Sequence, residues 1–294
     1  MNLDRMMLND LCSIAKEAAV AAGTYIQSQA NKNHTKKEKK AGNSVASQVI
    51  TQVDIEAQRI ILSHLKSTIE RYDLGLLTEE AADDQSRLHK DYFWCIDPMD
   101  GTLPYTEGKS GYAVSIALVT LEGDPLIGVV YLPDSEHCFT SIKGGGVLLD
   151  NESFIWKKHS APDALHVYLD RSVQKEAYFD ELIKQLEKWS IEHLKLKVEY
   201  HIGFGAVCNA IGVLNATIGC YFKFPKEQKG GGSIWDFASS RLFFEELNLP
   251  VSNANGELLH LNRSETTFMN EIGIVFSTDP VLAKFIIRLG SEIV

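Results

Sequence analysis

Apolar residues recur at three- and four-residue spacing near the start of the chain: Leu8, Leu11, Ala15, Ala18, Ala19, Ala22, Tyr25 and Ile26. That period gathers them on one face of an amphipathic helix, which ends at a polar break from Asn31 to Asn33 and the run Lys36-Lys37-Glu38-Lys39-Lys40. The basic run reads as a solvated loop. A second helical period spans about Ile55 to Ile69, with Ile60, Ile61, Leu65 and Ile69 on its apolar side. From 92 to 150 the pattern is that of strands. Ala113 to Leu121 and Leu126 to Leu132 flank the turn Glu122-Gly123-Asp124-Pro125, and Gly144-Gly145-Gly146 interrupts a further strand pair.

The polar, Pro162-containing segment from Phe154 to Ala164 is the best candidate boundary, dividing the chain into 1–158 and 159–294. Beyond it the pattern predicts a strand (His166 to Leu169), a helix (Val173 to Trp189), a strand (Val198 to Ile202) and a helix (Ala206 to Leu214). A strand (Ile218 to Phe224), a helix (Trp235 to Leu247) and a closing strand and helix follow. No internal repeat appears. The alternation places the chain in the α/β (α+β) class.

Composition adds limits. With 294 residues, 45% of them apolar, the chain can bury a large core. No apolar run approaches the length needed to span a bilayer, and Met1-Asn2-Leu3-Asp4-Arg5 does not open a signal segment, so the expected location is the cytoplasm. Five scattered cysteines without C-x-x-C spacing fit reduced thiols. A net charge of −10 argues against a nucleic-acid polymer as partner.

The densest chemistry is Asp97-Pro98-Met99-Asp100-Gly101-Thr102, directly after the apolar run Tyr92 to Ile96. A strand ending there delivers two carboxylates at a sheet terminus. Pro98 presets one dihedral, and Gly101 permits a tight turn whose amides, with that of Thr102, can face a phosphate. Clustered hard oxygen ligands suit Mg²⁺ better than zinc. Taken alone, the same dipeptides also describe an ordinary surface turn. The nine histidines form no H-x-x-x-H pair or other ligand spacing, and His137, His166 and His201 read as strand or surface residues. Gly144 to Gly146 lacks a P-loop ending, so it reads as a hairpin turn rather than a phosphate cradle.

Three motifs occur in order: Leu77-Thr78-Glu79-Glu80, the Asp97 to Thr102 loop, and Ile234-Trp235-Asp236-Phe237-Ala238-Ser239. Together they resemble the inositol monophosphatase-like superfamily of Mg²⁺-dependent phosphatases. Val49-Ile50-Thr51-Gln52-Val53-Asp54 and Ala113 to Leu118 extend the likeness over nearly the whole chain. Two departures, Thr78 in place of a glycine and Leu247-Asn248-Leu249 in place of alanine-glycine-glycine, remove no carboxylate.

The resemblance implies a layered α-β-α-β-α sandwich with the site between its halves. It implies two or three Mg²⁺ ions held by Glu79, Asp97, the Met99 carbonyl, Asp100 and Asp236, with Asp97 bridging ions about 3.5–4 Å apart. Glu79 and Thr102 would orient an attacking water, and the Gly101 and Thr102 amides would bind phosphate. Asp54 reads as a helix cap, or by resemblance as a residue near the metals. The implied partner is a small phosphorylated metabolite, and relatives are often dimers, so a homodimer is one expectation.

In inositol-phosphate-cleaving relatives an acid precedes the W-D pair. Here that place falls on Lys223, counted from Asn209, or on Lys229, counted back from Trp235. Either lysine would bind a second phosphate, unless both are solvated and Glu227 serves instead. Gly256 to Thr266 resembles a stretch of bacterial 3′(2′),5′-bisphosphate nucleotidases, although Asn262 and Arg263 also read as surface turn residues. The sequence leans to such a nucleotidase, with inositol 1-phosphate or a sugar phosphate as alternative substrates. A phosphate-binding regulator without catalysis is the alternative of another class.

Overall fold

The structure, a computed structural model, describes residues 3–30, 36–38, 49–156 and 161–294. The Asn31 to Asn33 break, Lys39, Lys40 and the 158/159 boundary lie outside the described residues.

Helices α1 (Arg5–Gln29) and α2 (Gln52–Tyr72) follow the two apolar stripes read from the sequence. The Asp4 carboxylate caps α1 by accepting from the Met7 amide. Between them β1 (Lys36–Glu38) and β2 (Val49–Thr51) pair antiparallel. A seven-stranded sheet then runs in chain order: β3 (Gly75–Thr78), β4 (Tyr92–Asp100), β5 (Ala113–Thr120), β6 (Pro125–Leu132), β7 (His137–Ile142), β8 (Val147–Leu149) and β9 (Glu152–Ser153). Only the β3–β4 pair is parallel. A five-residue helix, α3 (Thr102–Thr106), follows β4.

Past the sheet come β10 (Leu165–Leu169), α4 (Phe179–His193), β11 (Val198–Ile202), α5 (Ala206–Asn215), β12 (Gly219–Lys223), α6 (Ile234–Glu246), β13 (Val251–Ser252), β14 (Ile274–Ser277) and α7 (Pro280–Ile293). Their strands form a second sheet in the order β11-β10-β12-β14-β13. Helix α4 begins six residues later than its sequence pattern predicts. Arg171–Lys175 is a 3-10 turn and Glu176 is extended, so the apolar stripe Leu182, Leu186 and Trp189 alone defines the helix.

Strand alternation builds the layers. On β4, Trp94 and Ile96 face α1 and α2, whereas Phe93 and Cys95 face a central core that holds α5 and α6 and the near side of the second sheet. Leu165, Val167 and Leu169 of β10 face outward to α4 and α7. The result is the five-layer α-β-α-β-α sandwich, and Asp97, in phase with Phe93 and Cys95, points toward the central helices.

A buried cation ties together two segments far apart in the chain. Arg87, 2% exposed, pairs with Asp83 at 2.8 Å and donates to Asn262 Oδ1 at 2.7 Å and to the Arg263 carbonyl at 2.9 Å. The Asn262 amide donates back to the Arg87 and Leu121 carbonyls. Asn262 is therefore a buried strut, not a surface turn residue, and Arg263 pairs with Glu271 at 2.8 Å. Asn262→Ala leaves a buried guanidinium short of an acceptor and should lower the unfolding free energy by about 3 kcal/mol in urea titration. An unchanged urea midpoint would remove Asn262 from this role.

Candidate metal centre

Three motifs meet because three backbone arrangements bring them together. Strands β3 and β4 are parallel with Thr78 opposite Ile96, and the Glu79 amide donates to the Ile96 carbonyl at 3.2 Å, so the acidic pair leaves the sheet beside Asp97. Gln58 of α2 fixes that exit by accepting from the Thr78 hydroxyl and, at 3.1 Å, from the Glu80 amide. The pairing of β4 with β5 shifts register between Asp97 and Asp100, as a bulge does, which lets both carboxylates reach one side. Gly101 then takes φ +88°, and a side chain there would meet the Gly111 carbonyl at 2.5 Å.

Asp236 arrives on the first turn of α6. Its Oδ2 accepts from the Ser233 amide at 2.5 Å, closing the helix start as in a capping box. The small residues after Trp235-Asp236 let α6 lie against the first sheet: the Ser239 hydroxyl bonds the Ile116 carbonyl at 3.1 Å, and Gly128 leaves room for the Ser239 backbone.

Carboxylate oxygens of Asp97, Asp100 and Asp236 all lie within 4.8 Å of one another, and all three residues are buried. Burial is the largest force raising each pKa, with the neighbouring acids adding to it. Asp97 is pushed well up by burial and then by Glu79, Asp236 and Asp100. Asp100 is raised by burial and Asp236, while the amides of Val207 and Ala206, at 2.8 and 3.0 Å, and Lys223 draw it back. Asp236 is raised to about 6, burial outweighing the attraction of Lys223.

One oxygen decides what the cluster is for. Asp97 Oδ1 accepts from the Met99 amide at 3.0 Å, but buried Asp97 Oδ2 has no hydrogen-bond partner. The adjacent Asp236 carboxylate is another acceptor, so a positive or hydrogen-donating group between the two satisfies both, and a cation also offsets their charge. The donor set, carboxylates and a nearby carbonyl, fits a hard divalent cation. The Thr102 hydroxyl is shared between Asp54 Oδ1 at 3.1 Å and the Met99 carbonyl at 3.3 Å. Asp54 is buried within the first turn of α2 and accepts from Thr102 of the Asp97 to Thr102 loop.

The family profile of the inositol monophosphatase family matches residues 7–294. The chain belongs to that family. Inositol monophosphatase 2 of Solanum lycopersicum is 31% identical over 147 residues, 50% of this chain and 53% of that protein. That alignment therefore spans about half the relative's length. Inositol monophosphatase 3 of the same plant is 27% identical over 258 residues, 87% of this chain and 91% of that protein. Among solved structures, a Thermotoga maritima IMPase superposes with a TM-score of 0.76 over 97% of this chain and 98% of that one, at 18% identity, a likeness of fold. The inositol monophosphatase family is one of metal-dependent phosphoric monoester hydrolases.

The two lysines separate. Lys223, at the end of β12, pairs with Asp170 Oδ2 at 2.7 Å, donates to the Gly231 carbonyl and sits over the Phe237 ring. Lys229 is exposed in the loop before α6. Asp170, which the sequence reading passed over, accepts also from the Tyr221 hydroxyl at 3.0 Å. Its only signal was its place directly after a strand. The Gly144 and Gly146 amides hold the Glu246 carboxylate at 2.6 and 2.7 Å, so that turn is filled from within the chain. No helix among the described residues is long and apolar enough to cross a membrane.

Proposed function

We propose that this protein is a Mg²⁺-dependent phosphomonoesterase acting on a small phosphorylated metabolite in the cytoplasm. The observation that carries the reading is the unpartnered Asp97 Oδ2, buried against Asp100 and Asp236. Two or three Mg²⁺ ions, when bound by Glu79, Asp97, the Met99 carbonyl, Asp100 and Asp236, neutralise the phosphoryl and leaving oxygens and acidify water. The residues then have distinct tasks. Asp54 accepts the Thr102 proton, which turns a lone pair of Thr102 Oγ1 outward to accept from an attacking water, and Glu79 orients the same water. The Gly101 and Thr102 amides hold the phosphate. No side chain is needed as nucleophile. The complete acidic set speaks against a regulator that has lost catalysis.

For the substrate, the nucleotidase lean starts from Lys223 and Lys229; of these Lys223 lines a pocket with Lys226, Asp170, Tyr178 and Met269, where the two lysines supply charge for a second phosphate. Asp170 offsets the Lys223 charge and offers oxygens to hydroxyl groups, which favours inositol 1-phosphate or a sugar phosphate. Phosphate release is to be measured on a 3′,5′-bisphosphonucleotide, inositol 1-phosphate and a sugar phosphate, each with Mg²⁺ and with EDTA. Turnover of at least one ester that EDTA abolishes and Mg²⁺ restores is expected. Release undiminished in EDTA would sink the metal reading, and no release from any ester would favour the regulator.

A further inference from the structure

A second cluster of metal-ligating side chains lies on the second sheet, on elements that give nothing to the aspartate centre. Strands β10 and β11 are parallel, with His166 opposite Glu199 and Tyr168 opposite His201. These four side chains therefore share one face of the sheet at its edge strand, β11. His166 Nδ1 lies 3.0 Å from His201 Nε2 and 3.7 Å from Glu199 Oε2, and ligand atoms of the three residues fall within 4.8 Å of one another.

We propose that His166 Nδ1, His201 Nε2 and Glu199 Oε2 form a second metal site, selective for a borderline transition cation of the Zn²⁺ type. Two imidazole nitrogens on one tetrahedral zinc stand about 3.3 Å apart, given bonds of about 2.0–2.1 Å, which is close to the separation here. Imidazole nitrogen selects such a cation over Mg²⁺, which takes oxygen.

Three supporting groups have the arrangement that metal-bound histidines use. Asp163 Oδ1 stands 3.4 Å from His166 Nε2, so that nitrogen carries the proton and Nδ1 turns its lone pair into the cluster. Tyr168 stacks on His201, with ring centroids 4.4 Å apart at 15°, and fixes the plane of that ring. Lys197 holds Glu199 Oε1 at 2.6 Å, leaving Oε2 for the cation, and that pairing keeps the Glu199 carboxyl below its ordinary range. Burial and the neighbouring His166 ring hold His201 below the ordinary histidine range. All three residues are half-buried. A shared proton is the rival occupant of the gap between the rings.

Equilibrium dialysis of the whole protein with Zn²⁺, in excess Mg²⁺ to occupy the aspartate centre, separates these occupants. Wild type and Asp236→Asn should each bind one Zn²⁺ under those conditions. His201→Phe, which keeps the stack on Tyr168, and His166→Gln should weaken binding at least about 100-fold, more than loss of an outer-shell partner costs. Glu199→Gln, at a half-buried position of the edge strand, should weaken it without changing the thermal midpoint of the zinc-free protein. The imidazole ring signals of both histidines should shift in NMR spectra on Zn²⁺ addition. Equal Zn²⁺ binding by wild type and both histidine variants would overturn the site, as would loss of Zn²⁺ in Asp236→Asn alone.

Discussion

Asp236→Asn is expected to lower kcat about 1000-fold at saturating Mg²⁺ while the metal-free protein becomes no less stable. The activity loss follows from removing one ligand charge from a cation site, where about 4 kcal/mol of transition-state stabilisation corresponds to that factor. The stability side follows from the geometry. An asparagine oxygen still accepts from the Ser233 amide, so the start of α6 stays closed. Its amide nitrogen can donate to Asp97 Oδ2, which lacks a partner in the wild type. One of three mutually repelling buried charges is gone as well. Steady-state kinetics and thermal unfolding in EDTA read the two effects separately. Near-normal kcat would mean that α6 does not complete the centre built by β3 and β4.

The parts of the fold that the sequence made legible are those where one period dominates. Helices α1 and α2 each bury a single stripe on the first sheet, and β5 and β6 meet at a glycine-proline turn, so spacing alone located them. Helix α4 starts later than its pattern predicts because Glu176 is extended between the 3-10 turn at 171–175 and the helix, a break that apolar spacing does not show. Strand β3, four residues long, carries too few positions for a period. Among the candidate site residues, Asp97 and Asp100 stood out as a turn motif after an apolar run, whereas Asp236 was legible only through the resemblance carried by Trp235-Asp236. The pairs Asp170–Lys223 and Arg87–Asn262 were not, since each joins residues that the topology alone brings together. His166, Glu199 and His201 show the same limit: register between parallel strands placed them together, and register leaves no trace in linear spacing.

The stabilisation given by Mg²⁺ is expected to be larger at pH 7.5 than at pH 5, and this too comes from the buried acids. Asp236 titrates near 3.8 in the unfolded chain and at about 6 in the metal-free folded one. Between those values the folded state holds the extra proton. Below about 3.8 the group is neutral in both states and burial costs it nothing; above about 6 it is charged in both, and the folded state bears the whole penalty, roughly 3 kcal/mol at 1.36 kcal/mol per pH unit. Asp97 and Asp100, also raised, act in the same direction. Stability of the metal-free protein therefore falls as pH rises through this window. A divalent cation replaces the missing protons and removes the repulsion that is fully present only at the higher pH. Thermal midpoints with Mg²⁺ and with EDTA at both pH values measure the difference, and Asp236→Asn should shrink it. Equal midpoint gains at pH 5 and pH 7.5 would show that the cation does not bind among these three carboxylates.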